Sequence, residues 1–154
     1  MRLAELEAVC REAARGVIER EGRPVPPAVV LPLPGSNKVT TFPDFPVDDA
    51  DRTVLLERFA EDVMRPANAS CFGFLAEGSL DSGSGQPVDV LVVAYSARRG
   101  HPHVTAAPLT DESVGNFGVA EELDPAAMTF LRPLQEAVDA AGPPDAFGGL
   151  DARS

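Results

Sequence analysis

His101 and His103 stand one residue apart and are the only histidines in the chain. Alternate side chains of an extended segment point the same way, so two imidazoles at this spacing can share one Zn2+ and leave a position open for water. Glu77 upstream, at the end of an otherwise apolar strand, would with a raised pKa be available as an acid, base or metal ligand, and Ser113 stands downstream. Other candidate groups are poorly placed for chemistry. Cys71 lies inside an apolar run with no base beside it, which raises a thiol pKa and makes it inert. No Gly-x-Ser-x-Gly elbow and no Gly-rich dinucleotide fingerprint occurs. Gly35-Ser-Asn37 lacks the Gly and Lys spacing of a phosphate loop and does not open a helix. Asp48, Asp49 and Asp51 suggest calcium, yet neither the sixth-position Gly nor the twelfth-position Glu of an EF-hand follows them.

A Glu preceding a His-x-His pair and then a Ser resembles the zinc site of the JAMM/MPN metalloproteases, over about forty residues. That resemblance implies a zinc-dependent hydrolase with Glu77 as general base and His101 and His103 as metal ligands. In the family the Ser follows the second His after about seven residues, and a ligand Asp comes about three later. Here Asp111 stands at the Ser position with Val114 beyond it. Ser113 is displaced and followed by Asn116, and Pro102 disturbs the extended geometry between the imidazoles. The plainer alternative is preferred: two surface imidazoles in a turn after Arg98-Arg99-Gly100, no metal or cofactor, and a Glu77 that has reached solvent at its strand's end, the raised pKa belonging to the functional reading.

The elements that must position these residues follow from the apolar pattern. Cys71–Gly78 and Val88–Tyr95 are the densest apolar runs, bounded by Gly, Ser, Asn and Pro, and read as central strands. Val90–Ala94 has no polar break, so both of its faces should be covered. On the first run Phe72, Phe74 and Ala76 share one face, and Cys71, Gly73, Leu75 and Glu77 the other. The polar stretch Gly78–Pro87 between the runs reads as a mobile loop. His103–Ala107 returns as a third strand. Ala28–Leu33 and Lys38–Phe42 form a hairpin whose Pro32 belongs at a sheet edge or an early strand end. Leu3, Leu6, Cys10, Ala13 and Val17 line one stripe of a first helix that Gly22 stops. A second helix runs through Leu55, Phe59 and Val63 to Arg65-Pro66. A third opens at Asp124-Pro125, presents Met128, Leu131, Leu134 and Val138, and should kink at Pro133.

The expected fold is therefore α+β, a two-layer domain in the order α-β-β-α-β-β-β-α. It has a mostly antiparallel sheet of about five strands and helices on one face. Residues 1–142 form that single domain and residues 143–154 a disordered tail. A net charge of -11 opposes binding to phosphate backbones, so nucleic acid is not expected as a partner. Lys38 is the single lysine, which reads as genomic base bias. Two cysteines form no disulfide framework, and the acidic start Met1–Glu7 lacks the apolar core of a signal peptide. A cytoplasmic location away from membranes follows as the expectation. The function expected is a small, acidic, non-catalytic interaction or regulatory module. Its partner would be a protein, basic in the sharper version, or a second copy meeting it through Leu3, Leu6, Cys10, Ala13 and Val17.

Overall fold

The computed structural model describes residues 2–81, 85–110 and 113–142. Its strands are β1 (Ala28–Leu33), β2 (Ser36–Thr41), β3 (Cys71–Asp81), β4 (Pro87–Ala97), β5 (His103–Pro108) and the short β6 (Glu121–Glu122). They form one antiparallel sheet in the order β2-β1-β3-β4-β5-β6. Helices α1 (Leu3–Glu21), α2 (Asp49–Phe59) and α3 (Arg132–Asp139) complete the fold. The α+β class, the antiparallel sheet and the order α-β-β-α-β-β-β-α are as expected, with one further short strand. The tail expected at 143–154 lies outside the described residues.

The layering differs from the expectation of helices on one face. Leu6, Cys10, Ala14, Val17 and Ile18 of α1 pack on Val30, Cys71, Leu75, Leu91 and Val93. Leu56 and Phe59 of α2 and Leu134, Ala137 and Val138 of α3 pack with Val29, Phe72, Phe74 and Ala94 on the opposite side. The cause is the strand period of two: β3 and β4 carry large apolar residues at both odd and even positions, and leaving either face wet would expose several of them. A single helical layer cannot cover both.

Local chemistry sets the ends of these elements. Gly22 takes φ 72° and its N–H bonds to Ile18 O at 2.8 Å, closing α1 in a conformation that suits glycine. Asp48 caps α2 by accepting from the Ala50 N–H at 2.9 Å. The helix then widens into a π-turn over Ala60–Met64 before Pro66, and it buries Leu56, Phe59, Ala60 and Met64, leaving Leu55 and Val63 half-buried. The third helix starts later than expected. Asp124 forms a turn closed by Ala126 and Ala127 N–H groups. Met128 interrupts it at φ 50°, and α3 begins only at Arg132. Pro133 thus falls in a first turn, where its missing N–H costs nothing and no kink arises.

Pro32 sits in a strand with neighbours on both sides, yet the β1–β3 ladder ends at Val30, so no inner hydrogen bond is asked of it. The stretch expected as a loop after Gly78 is largely paired: β3 runs on to Asp81 against Pro87, and only 82–84 lie outside the described residues. Opposite α1, five rings interlock: Phe42, Phe45, Phe59, Phe74 and Phe130, with centroids 5.5–6.1 Å apart. The Arg52 guanidinium lies over Phe45 and Phe130 at 5.2 and 5.3 Å and donates to Pro46 O at 2.6 Å, which closes that edge of the core.

The approach of α1 to the sheet depends on Gly73, because a side chain there would collide with Cys10 Sγ. Gly73→Ala is expected to cost about 1–3 kcal/mol in urea unfolding, the range for an overpacked core. Combining it with Cys10→Ala should recover part of that loss, giving a non-additive double-mutant cycle. Strictly additive losses would show that the contact does not set the helix position.

Candidate functional site

The residues suited to zinc chemistry are not brought together. Glu77 pairs with Leu91 on β4 and His103 pairs with Tyr95, four residues farther along β4 and on its other side. That separates them by about 13 Å along the strands and about 10 Å across them. The His103 ring stacks on Tyr95 at 5.8 Å and 21°, and its Nδ1 lies 2.9 Å from the His101 carbonyl oxygen. His101 instead lines a cleft beside α3. Ser113 is spent on a loop clasp, its hydroxyl 2.8 Å from that of Thr110. Asp111 lies outside the described residues. Among the described residues no group of three or more His, Cys, Asp or Glu could hold a metal ion.

Glu77 has a structural partner. Arg23 grips its carboxylate with two nitrogens at 3.0 and 3.2 Å, and the Val25 N–H adds a third bond at 2.8 Å. The same guanidinium reaches Asp89 at 3.1 Å. The Arg23 hydrogen bond, aided by that of Val25, holds the Glu77 carboxyl below its ordinary pKa despite partial burial, contrary to the raised value considered above. Burial pushes the Cys10 thiol up to about 12 and raises Cys71 as well. Burial, together with a 2.7 Å bond to Glu7, raises the Tyr95 phenol.

The stripe expected to form a dimer face is used internally. Leu6, Cys10 and Val17 are at most 1% exposed in the core under α1. Ala13 is half-buried, and only Leu3 is exposed. A partner could not reach Leu6, Cys10 or Val17 without prising α1 from the sheet. The neighbouring flank of α1 is open. Ala8, Val9, Ala13 and Gly16 form one wall of a groove of about 390 Å3 whose other wall is Asn37 and Val39 of β2. Glu12 and Arg20 also line it. Beyond the groove, β2 is the outermost strand: all six of its residues pair inward with β1, and among the described residues none of its backbone pairs outward.

A larger cleft of about 670 Å3 opens between α3 and the segment that follows β6. Pro102, Leu123, Met128 and Leu131 supply apolar walls, and Glu122, Asp124 and Arg132 supply charge. Met128 holds a left-handed φ of 50°, a conformation costing a non-glycine residue roughly 1–3 kcal/mol. Gln135 also lines this cleft. Its Nε2 must face two acceptors, Ala97 O at 3.2 Å and Asp139 Oδ1 at 2.8 Å, which fixes the amide orientation. Its Oε1 is covered by protein and has no donor among the described residues.

Comparison with protein-family models, curated proteins and solved structures returns no match to this chain. No helix of the described residues is long and apolar enough to cross a membrane.

Glu77→Gln tests the structural role of the carboxylate. The folded pKa lies below the unfolded value of about 4.3, so the ion-pair stabilisation is complete above about pH 5 and is lost as pH falls through the folded value. At pH 7 the variant should melt roughly 2–6 °C below the parent. Thermal melts between pH 7 and pH 3.5 should show that gap closing as the pH is lowered; a constant gap would contradict the assignment.

Proposed function

We propose that the protein is a non-catalytic interaction module that takes an extended segment of a partner protein onto the free edge of β2. The observation that carries this reading is the bare, regular β2 edge lying beside a groove. Natural edge strands are blunted by prolines, bulges, short length or inward charges. β2 carries no proline and no bulge across six paired residues, and Lys38 is its one charge. An added strand would gain main-chain hydrogen bonds from the edge and specificity from side chains entering the groove. The small residues Ala8 and Ala13 leave room for an apolar side chain of the guest, beside the Arg20 guanidinium that lies over Gly16.

The groove also suggests a sequence for that guest. Glu12 and Arg20 are eight helical residues apart, but the Arg20 guanidinium folds back over Gly16, its Nη1 3.3 Å from where a Cβ on that glycine would lie. Its charge therefore stands about one turn, or roughly 6 Å, from the Glu12 position, and same-face residues two apart on a strand span about 7 Å. A guest with a base and an acid at that spacing would meet opposite charges along the groove. Buried thiols and a buried phenol with raised pKa values, and a carboxylate with a lowered one, are held away from the near-neutral range that acid–base catalysis uses. This favours binding over catalysis. The free, buried Cys10 and Cys71 suit a reducing cytoplasm, and the charge of -11 opposes nucleic acid as the partner.

Selection of random extended peptides on the immobilised protein should enrich the pattern base-x-acid or its reverse. Gly16→Leu, at a helical position with ordinary φ, should keep or raise stability because Gly is a poor helix former, by about 0.5–1 kcal/mol. The new side chain fills the groove and should abolish binding of the selected peptides. Peptides that bind the variant as well as the parent, or a selection without enrichment, would overturn the proposal.

A further inference from the structure

The cleft beside α3 has a different character from the β2 groove, and its chemistry can be followed independently. Its volume, about 670 Å3, falls in the range of small-ligand sites, roughly 300–1,000 Å3. The walls are mixed in a specific way. Pro102 precedes β5, Leu123 follows β6, and Met128 and Leu131 come from the turn into α3. These side chains give the cleft an apolar lining built from three separate segments.

Charges of both signs stand on the same lining without neutralising each other. Arg132, in the first turn of α3, forms no ion pair among the described residues, although Glu122 and Asp124 border the same cleft. One Asp124 oxygen is engaged, accepting the Ala126 N–H at 2.9 Å. Glu122 is fixed at its backbone by pairing with His103. The loop side of the cleft is therefore anionic and the helix side cationic, with apolar surface around them. A ligand with a single charge would meet like charge on one side. A neutral apolar ligand would leave both charged groups without a partner.

We infer that this cleft binds a small zwitterion with an apolar side chain, an α-amino acid or dipeptide. Its carboxylate meets Arg132, its ammonium group meets Glu122 and Asp124, and its side chain lies against Leu123, Met128 and Leu131. A carboxylate can accept two parallel N–H bonds from a guanidinium, which suits Arg at that position better than Lys. The left-handed Met128 is consistent with a backbone shaped to present its thioether to a ligand, since strained residues gather at binding sites. None of these residues borders the β2 groove, so the inference stands or falls apart from the partner reading.

The test is a titration of the 15N-labelled full chain followed by amide chemical shifts. The probes are L-leucine, leucyl-leucine, N-acetyl-leucine (ammonium blocked), leucinamide (carboxylate blocked) and glycine. Leucine or leucyl-leucine should give saturable shifts confined to the amides of Leu123, Asp124, Ala127–Thr129 and Gln135, the stronger of the two showing which ligand size fits. N-acetyl-leucine, leucinamide and glycine should each bind at least tenfold more weakly. Arg132→Gln should erase the preference for leucine over leucinamide, and Glu122→Gln should reduce that for leucine over N-acetyl-leucine. Both are exposed surface positions, and unchanged amide spectra elsewhere confirm an intact fold. Absence of saturable shifts, or blocked derivatives binding as tightly as the zwitterion, overturns the inference.

Discussion

A strand pair that is apolar on both faces has to be covered twice, and the rest of this structure follows from how that is done. On β3 and β4, Phe72, Phe74 and Ala94 point one way while Cys71, Leu75, Leu91 and Val93 point the other. Helix α1 covers the second set. It lies close because Gly73 offers Cys10 a position with no side chain. The first set is covered by α2, α3 and a group of phenylalanines brought in partly from the loop before α2. With three helices committed to the middle of the sheet, the periphery is left open. The β2 edge on one side and the α3 cleft on the other are two of the accessible places that result.

That arrangement also explains where the polar groups went. Near the centre, each is neutralised locally: Tyr95 donates to Glu7, Glu7 pairs with Arg11, and Arg23 is shared between Glu77 and Asp89. These pairs are made within the fold and are half-buried, apart from the exposed Asp89. Glu12 and Arg20 beside β2, and Glu122 and Arg132 beside α3, are in no ion pair among the described residues. The division is spatial. The paired charges lie beside α1 and along α2, where Arg52 meets Asp49 and Arg65 meets Glu61, and the charges available to another molecule lie at the rims.

Much of this was legible in the residues. The alternation along Cys71–Glu77 gave the two faces of β3 correctly, and the unbroken run Val90–Ala94 implied cover on both sides. That run already contradicted a two-layer arrangement, because a strand covered on both faces needs helices on both. Pro133 was misread for a different reason. The apolar period ran through it from Met128 to Val138, and nothing local in that pattern shows that Met128 leaves the helical region. Where α3 begins was decided by tertiary packing, with Phe130 seated against Phe74 and Phe45. The stripe on α1 was identified, but its period cannot say whether the surface it meets belongs to the same chain.

Neither rim was visible in the sequence, because each is assembled from segments far apart in the chain. The β2 groove joins residues near 8–20 to residues near 37–39, and the α3 cleft joins residues near 101, 122 and 132. The one short spacing suited to chemistry, His101-Pro-His103, dissolves in three dimensions. Pro102 lies between two imidazoles that go separate ways, one stacking on Tyr95 in the α1 core and one facing the cleft beside α3. Gly16 was the one local sign of the groove. Ala8 and Ala13 suit any water-facing helix flank, because Ala is the best helix former, whereas Gly is among the poorest, and its place on the groove wall is that flank's departure from helix propensity.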